Sequence, residues 1–129
     1  MRRQFVLSED DTEQLDNLNL QWETVQEQSS QWLLLHGFNF PAGYNQVNGS
    51  VALQIPANYP VAPIDMAYFY PHLARVDGKM IPQTHVQQPI DGKFWQRWSR
   101  HYPWVPGQHS IGTHILLVRH WLNHAVGKA

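Results

Sequence analysis

Prolines at positions 56, 60 and 63, within IPANYPVAPID, constrain this chain more than any other feature. Each locks φ, removes an amide donor and biases its predecessor towards extended geometry. The middle of the chain is therefore predicted to be a rigid, extended connection, neither helix nor central strand. Regular structure must gather on either side of it. Just before it, SVALQI (50–55) alternates, with Val51, Leu53 and Ile55 on one face and Ser50, Ala52 and Gln54 on the other. Just after it, Met66 to Tyr70 reads as a further strand.

Towards the N-terminus, Ser8 is placed to cap a short helix. Asp10, Asp11 and Glu13 are favoured by its positive end, and Leu15 and Leu18 are expected to face inward. Trp22–Val25 and Gln31–His36 read as strands, separated from the next by breaks at Gly37, Pro41, Gly43, Asn48 and Gly49. Asp77-Gly78 predicts a turn, with Lys79–Ile81 as its returning strand. From Pro82 to Gln108 no period is visible. So long a structureless stretch is unusual when connections run to about four to six residues. The last element is the clearest. Ser110 caps a helix running to about Ala125, with Ile111, Ile115, Val118 and Leu122 in one apolar stripe and Gly127 beyond its end.

The chain of 129 residues is expected to form one domain spanning 1–129, and 12% aromatic residues mark it as globular. A net charge of −1 without a basic stripe argues against nucleic acid as a partner. With no cysteine, disulfides, thiolate metal sites and cysteine nucleophiles are excluded. The opening MRRQFVL lacks the apolar core of a signal peptide, and the apolar runs WLLL and ILLV are far short of the roughly twenty residues of a membrane span. A cytoplasmic location, with no membrane partner, is the expectation. GxxxxGK[ST], GxGxxG and GxSxG are absent, and Asp91 stands nearly alone among carboxylates in the central loop, so nucleotide, hydrolase-elbow and paired-carboxylate chemistries have no support.

The stretches SEDDTEQLDNLNLQWETV, IPANYPVAPIDMAYFYPHL and WQRWSRHYPWVPGQHSIGTHILLVRHWL together resemble the prokaryotic E2 family E, the cysteine-free branch of E2 ubiquitin-conjugating (UBC) proteins. The Tyr-Pro-x-x-Pro passage matches the one after the E2 meander, and Trp104-Val105-Pro106 resembles the Trp-Ser-Pro ahead of the next E2 helix. The resemblance implies an α+β fold with an N-terminal helix, a roughly four-stranded antiparallel meander, a long active-site-like loop and a C-terminal helix. It implies an E1-like adenylating enzyme and a ubiquitin-like modifier, of one or several ubiquitin-like units, as partners, and no cofactor.

An ordinary E2 carries its modifier on cysteine, which this chain lacks. Two alignments place the vacant position. In one, Tyr70-Pro71-His72 stands for the E2 His-Pro-Asn, and Gly78–Pro82 replaces the cysteine strand. In the other, which fits better at both ends, His85 precedes Gly92 at the E2 spacing and the cysteine equivalent falls near Gln96. The hydroxyls nearby are Ser99 and, further off, Thr84. A serine needs a base, and His101 is two residues away. Arg100 could stabilise an oxyanion or bind an acidic tail. His85 or His109 could serve as a second acid or base. The expected activity is acyl transfer through a Ser99 oxyester to a target amine; the alternative is an inactive scaffold that binds the E1 or the modifier. Ser99, Arg100 and His101 could equally be structural polar groups. For partner contact the candidates are the acidic helix face of Glu9, Asp10, Asp11 and Glu13, and Trp98 if exposed; Trp95, Trp98 and Trp104 otherwise pin the core. His120 and His124 lie at i, i+4 without an HExxH glutamate, so no metal is expected.

Overall fold

The polar and proline breaks divide the chain into two helices and six strands, described over residues 1–128 by a computed structural model. In order these are α1 (Glu9–Asn17), β1 (Gln21–Glu27), β2 (Ser30–Asn39), β3 (Asn48–Gln54), β4 (Ala67–Tyr70), β5 (Val86–Ile90), β6 (Lys93–Trp98) and α2 (Ile111–Ala125). All strands pair antiparallel in one sheet, in the order β1-β2-β3-β4-β6-β5. No described helix is long and apolar enough to cross a membrane.

The leucine run of β2 is buried on both faces and so joins two cores. Leu33 and Leu35 pack with Val51, Leu53, Phe69 and Trp98 against Leu15 of α1 and the α2 stripe Ile111, Ile115, Val118 and Leu122. Trp32 and Leu34 pack on the opposite face with Val25, Ala52, Tyr68, Ile90 and Trp95. No described helix belongs to this second cluster. The sheet curls instead, bringing Ile90 of β5 to Val25 of β1. A polar clasp fastens the curl. Arg2 donates to Glu23 at 2.9 Å and to Asp91 at 2.9 and 2.7 Å, while the Asp91 amide donates to the Glu27 carboxylate at 2.7 Å.

Helix α1 begins as expected, with the Ser8 hydroxyl accepting from the Asp11 amide. At α2, Ser110 and Thr113 form a reciprocal capping box. The proline segment ties the two together. The Tyr59 hydroxyl donates to Asp11 at 2.9 Å and accepts from the Ile111 amide at 2.8 Å. Trp104 donates its indole N–H to Pro60 O at 2.9 Å.

Several expectations require correction. The proline segment is not extended: residues 57–61 form turns, closed by Tyr59 N–H to Pro56 O at 3.0 Å and Val61 N–H to Asn58 O at 2.9 Å. The sheet has six strands where about four were expected, because residues 82–108 contain the β5–β6 hairpin. Its turn is Asp91-Gly92, both at positive φ (53° and 74°), the geometry a two-residue hairpin demands. Pro89 and the two glutamines Gln87 and Gln88 hide the strand pattern of β5, and an edge strand tolerates proline. Lys79–Ile81 forms no strand. Gly37 lies inside β2, at a register shift, and Asn48 and Gly49 lie inside β3, instead of in turns. Leu18 is a partly exposed cap residue and does not face inward, whereas Leu15 is buried.

The Arg2 hydrogen bond, reinforced by one from His36, holds the Glu23 carboxyl at about 2, below its ordinary 4.5. A depressed carboxyl contributes stability that is full above pH 4.5 and lost as pH falls towards 2. Glu23→Gln is expected to lose stability at neutral pH and to show a shallower decline on acidification than the parent, as read by urea midpoints across that range.

Candidate functional site

In the β4–β6 pair, Ala67 lies opposite Trp98. Antiparallel pairing makes the chain entering β4 and the chain leaving β6 meet at the same end of the sheet. Asp65 enters there, and Ser99-Arg100-His101 leaves there. One further backbone bond, Met66 N–H to Arg100 O at 3.2 Å, carries the pairing past the strand ends.

Three side chains then line up. The Asp65 carboxylate oxygens are 2.8 and 3.0 Å from His101 Nδ1. His101 Nε2 is 3.5 Å from Ser99 Oγ. With its proton on Nδ1 and donated to Asp65, the imidazole keeps a lone pair on Nε2 facing the hydroxyl. This is the Ser–His–acid arrangement, in which the base takes the serine proton and the carboxylate fixes tautomer and orientation. The serine–imidazole separation is long for a hydrogen bond. The His101 and Asp65 side chains are 67% and 46% exposed, and Ser99 is half-buried.

The supports of this line are more buried than the line itself. His114 of α2, 4% exposed, donates Nε2–H to Met66 O at 2.8 Å beside Asp65 and packs edge-on against Trp121. Burial pushes its pKa below the usual 6.5. Ser99 N–H donates to Gln83 O at 3.0 Å, setting the Pro82-Gln83 turn against the serine. Arg100 is held in place, donating to Pro82 O at 2.9 Å and Ser99 O at 3.1 Å with its guanidinium 5.1 Å from the Trp98 ring centre. Burial lowers its pKa. A groove of about 390 Å³ opens next to the line, between the segment after His101 and α2, lined by Ile64, Tyr102, Trp104, His109, Leu116 and His120.

Other expected residues fall elsewhere. Thr84 gives its hydroxyl to Ile81 O at 2.8 Å. His85 is exposed just before β5. His109 accepts from the Val105 amide through Nδ1 and belongs to the groove wall. Trp98, offered as a partner contact, has 0% exposure, and its place in the core corrects that expectation. Trp95 is likewise buried and Trp104 is partly so. Of the acidic set, Glu9, Asp10 and Glu13 are exposed, but Asp11 is 6% exposed and bound to Tyr59, so it offers no contact face.

Gln96, near which the cysteine equivalent was aligned, lies within β6 and is buried. Its amide accepts from the Leu73 and Trp98 N–H groups and donates to Leu73 O, all at about 3 Å. That position therefore braces the 71–73 segment. His120 and His124 stack at 6.1 Å, and no group of three or more His, Asp or Glu gathers for a metal among the described residues.

Asp65 was missed by sequence reasoning. It stands 36 residues from His101, and only the β4–β6 pairing joins them. The available signal was the Asp91-Gly92 turn, which could have revealed β6 and the end at which it stops.

Two terminal helices, an antiparallel sheet between them and a hydroxyl–imidazole–carboxylate line without any thiol define the class: a cysteine-free α+β protein. The profile of prokaryotic E2 family E matches residues 7–125, and the chain belongs to that family. Membership supports an E2-like role in a conjugation pathway. Comparison with curated proteins and with solved structures gives no match.

A buried neutral histidine costs more to protonate folded than unfolded, so its share of stability is present above pH 6.5 and lost as pH falls below it. His114→Phe is expected to weaken that pH dependence and, by leaving Met66 O unpaired, to cost about 1–3 kcal/mol at neutral pH. Urea unfolding of both proteins at matched pH values checks both effects.

Proposed function

We propose that this chain is an E2-like acyl carrier that receives the C-terminus of a ubiquitin-like modifier from an E1-like enzyme and passes it to a target amine through an oxyester on Ser99. The observation that supports this most is the Ser99–His101–Asp65 line at the open end of β4 and β6. His101 Nε2 takes the Ser99 proton as the serine oxygen bonds to the modifier's terminal carbonyl carbon, and the E1-side leaving group departs with that proton. In the second half the amine nitrogen attacks that carbon and gives a proton to His101, the carbon–Ser99 bond breaks, and His101 passes the proton to the serine oxygen. The amide is the more stable product, so the sequence runs forward without a thiol. Asp65 holds the ring and favours the imidazolium that forms. Arg100, fixed by Pro82 and Trp98, positions the loop that carries both catalytic groups.

The exposed acids Glu9, Asp10 and Glu13 support a contact with a basic surface of the E1-like partner. They favour a second reading, a binding module without chemistry, which the same experiment separates. With purified E1-like enzyme, ATP and modifier, the parent is expected to accumulate a hydroxylamine-sensitive adduct on Ser99. Ser99→Ala abolishes it, and His101→Gln slows it by about 100-fold or more. Asp65→Asn slows it with partner affinity unchanged. Transfer that survives Ser99→Ala overturns the serine assignment. Binding with no adduct in the parent leaves the scaffold reading standing alone.

Joint replacement of Glu9, Asp10 and Glu13 by Lys is expected to weaken E1 association and remove its salt dependence, measured by titration at low and high ionic strength.

A further inference from the structure

A second Ser–His–acid line crosses the sheet itself. Glu23 of β1, His36 of β2 and Ser50 of β3 project from one face, the face that carries Trp32, Leu34 and Ala52. Ser50 Oγ lies 2.8 Å from His36 Nδ1, and His36 Nε2 lies 2.7 Å from Glu23 Oε2. Both separations are those of made hydrogen bonds. They are tighter than the serine–imidazole distance at Ser99.

The backbone here departs from regular pairing. Leu35 lies opposite Val51 and Phe38 opposite Gly49, so His36 and Gly37 together face Ser50 across a β-bulge. Gly37 adopts φ +70°, which favours glycine. Such bulges re-aim a side chain, and here the imidazole reaches the serine on the neighbouring strand. On the other side of Ser50, Gly49 has no room for a side chain, since a Cβ would come within 2.9 Å of Tyr70 O. Serine and histidine are thus set by backbone geometry on both strands.

The acid end is fixed as well. Glu23 Oε1 accepts from Arg2, and the carboxyl is held ionised far below neutral pH. An anionic Glu23 directs the His36 proton to Nε2 and leaves the Nδ1 lone pair on the Ser50 hydroxyl. His36 and Glu23 are 27% and 12% exposed, so the relay is largely shielded, while Ser50 retains partial access to solvent. Tyr70, the β4 partner of Ser50, carries the Lys93 ammonium 5.0 Å from its ring centre, which puts a cation on the same face.

We propose that Ser50 is a second nucleophilic hydroxyl, separate from Ser99, which accepts an acyl group from a compact activated ester. Ser50 Oγ bonds to the ester's carbonyl carbon, its proton passes to His36 Nδ1, and the leaving alkoxide departs with its bonding pair and takes that proton. Glu23 compensates the transient imidazolium charge. Lining the groove beside Ser99 plays no part, and nothing in this step needs the conjugation partners.

A small alkyl fluorophosphonate tests it on the intact protein. The reagent traps the same attack irreversibly: a P–O bond forms on the serine and fluoride leaves. Peptide mapping by mass spectrometry is expected to find the phosphonyl group on Ser50, equally in the parent and in Ser99→Ala. His36→Gln should slow labelling of Ser50 about 100-fold. Labelling should also disappear in parent protein unfolded in urea, a comparison that requires no variant to fold. Absence of label on Ser50, or labelling at the same rate in His36→Gln or in urea, overturns the proposal. The Ser99 reading is scored on a different peptide and with different reagents, so either can fail alone.

Discussion

The antiparallel pairing of β4 with β6 governs the rest of the structure. It places Ala67 opposite Trp98, inserts β4 between β3 and the terminal hairpin, and aligns the entry to one strand with the exit from the other. Asp65 reaches His101 only because of that alignment. The same pair anchors the helical layer, because His114 of α2 closes on Met66 at the point where β4 begins. Trp98 and Phe69, packed edge to face 4.9 Å apart, fill the core directly beneath. The site therefore inherits its rigidity from a buried register and not from the exposed loop that displays it.

The two Ser–His–carboxylate lines illustrate opposite ways of holding the same three groups. In the first, serine and histidine are close in sequence and the carboxylate comes from across the sheet, with the imidazole largely exposed. Such a line is open to solvent. In the second, each group is on its own strand, fixed by pairing, a bulge and an ion pair. That geometry is more enclosed. A sheet curled far enough for Arg2 to touch both Glu23 and Asp91 makes the second line possible, since the clasp that closes the curl also charges its acid.

The proline segment has a mechanical role that composition alone only suggests. Tyr59 joins Asp11 to the first turn of α2, and Pro60 accepts from Trp104. The Tyr59 bonds are partly buried, so losing one partner leaves the other unpaired at a cost. The acidic residue that sequence placed on a contact face is thereby withdrawn into the structure, while its neighbours Glu9, Asp10 and Glu13 remain outside. Trp98 shows the same point for an aromatic: the strand parity of β6 sends it inward, and no local signal reported that parity.

Local chemistry is what the sequence by itself determined. The Ser8 and Ser110 caps, the Ile111–Leu122 stripe, the alternation of SVALQI and the nearness of Ser99 to His101 all rest on residues a few positions apart. Tertiary structure alone decided the six-strand order, the inward turn of Trp98 and Gln96, and the partners Asp65 for His101 and Glu23 with Ser50 for His36. Strand pairing is the reason. Hydrogen bonds between strands are indifferent to how far apart the residues lie in the chain, so local pattern cannot reveal which strands will meet.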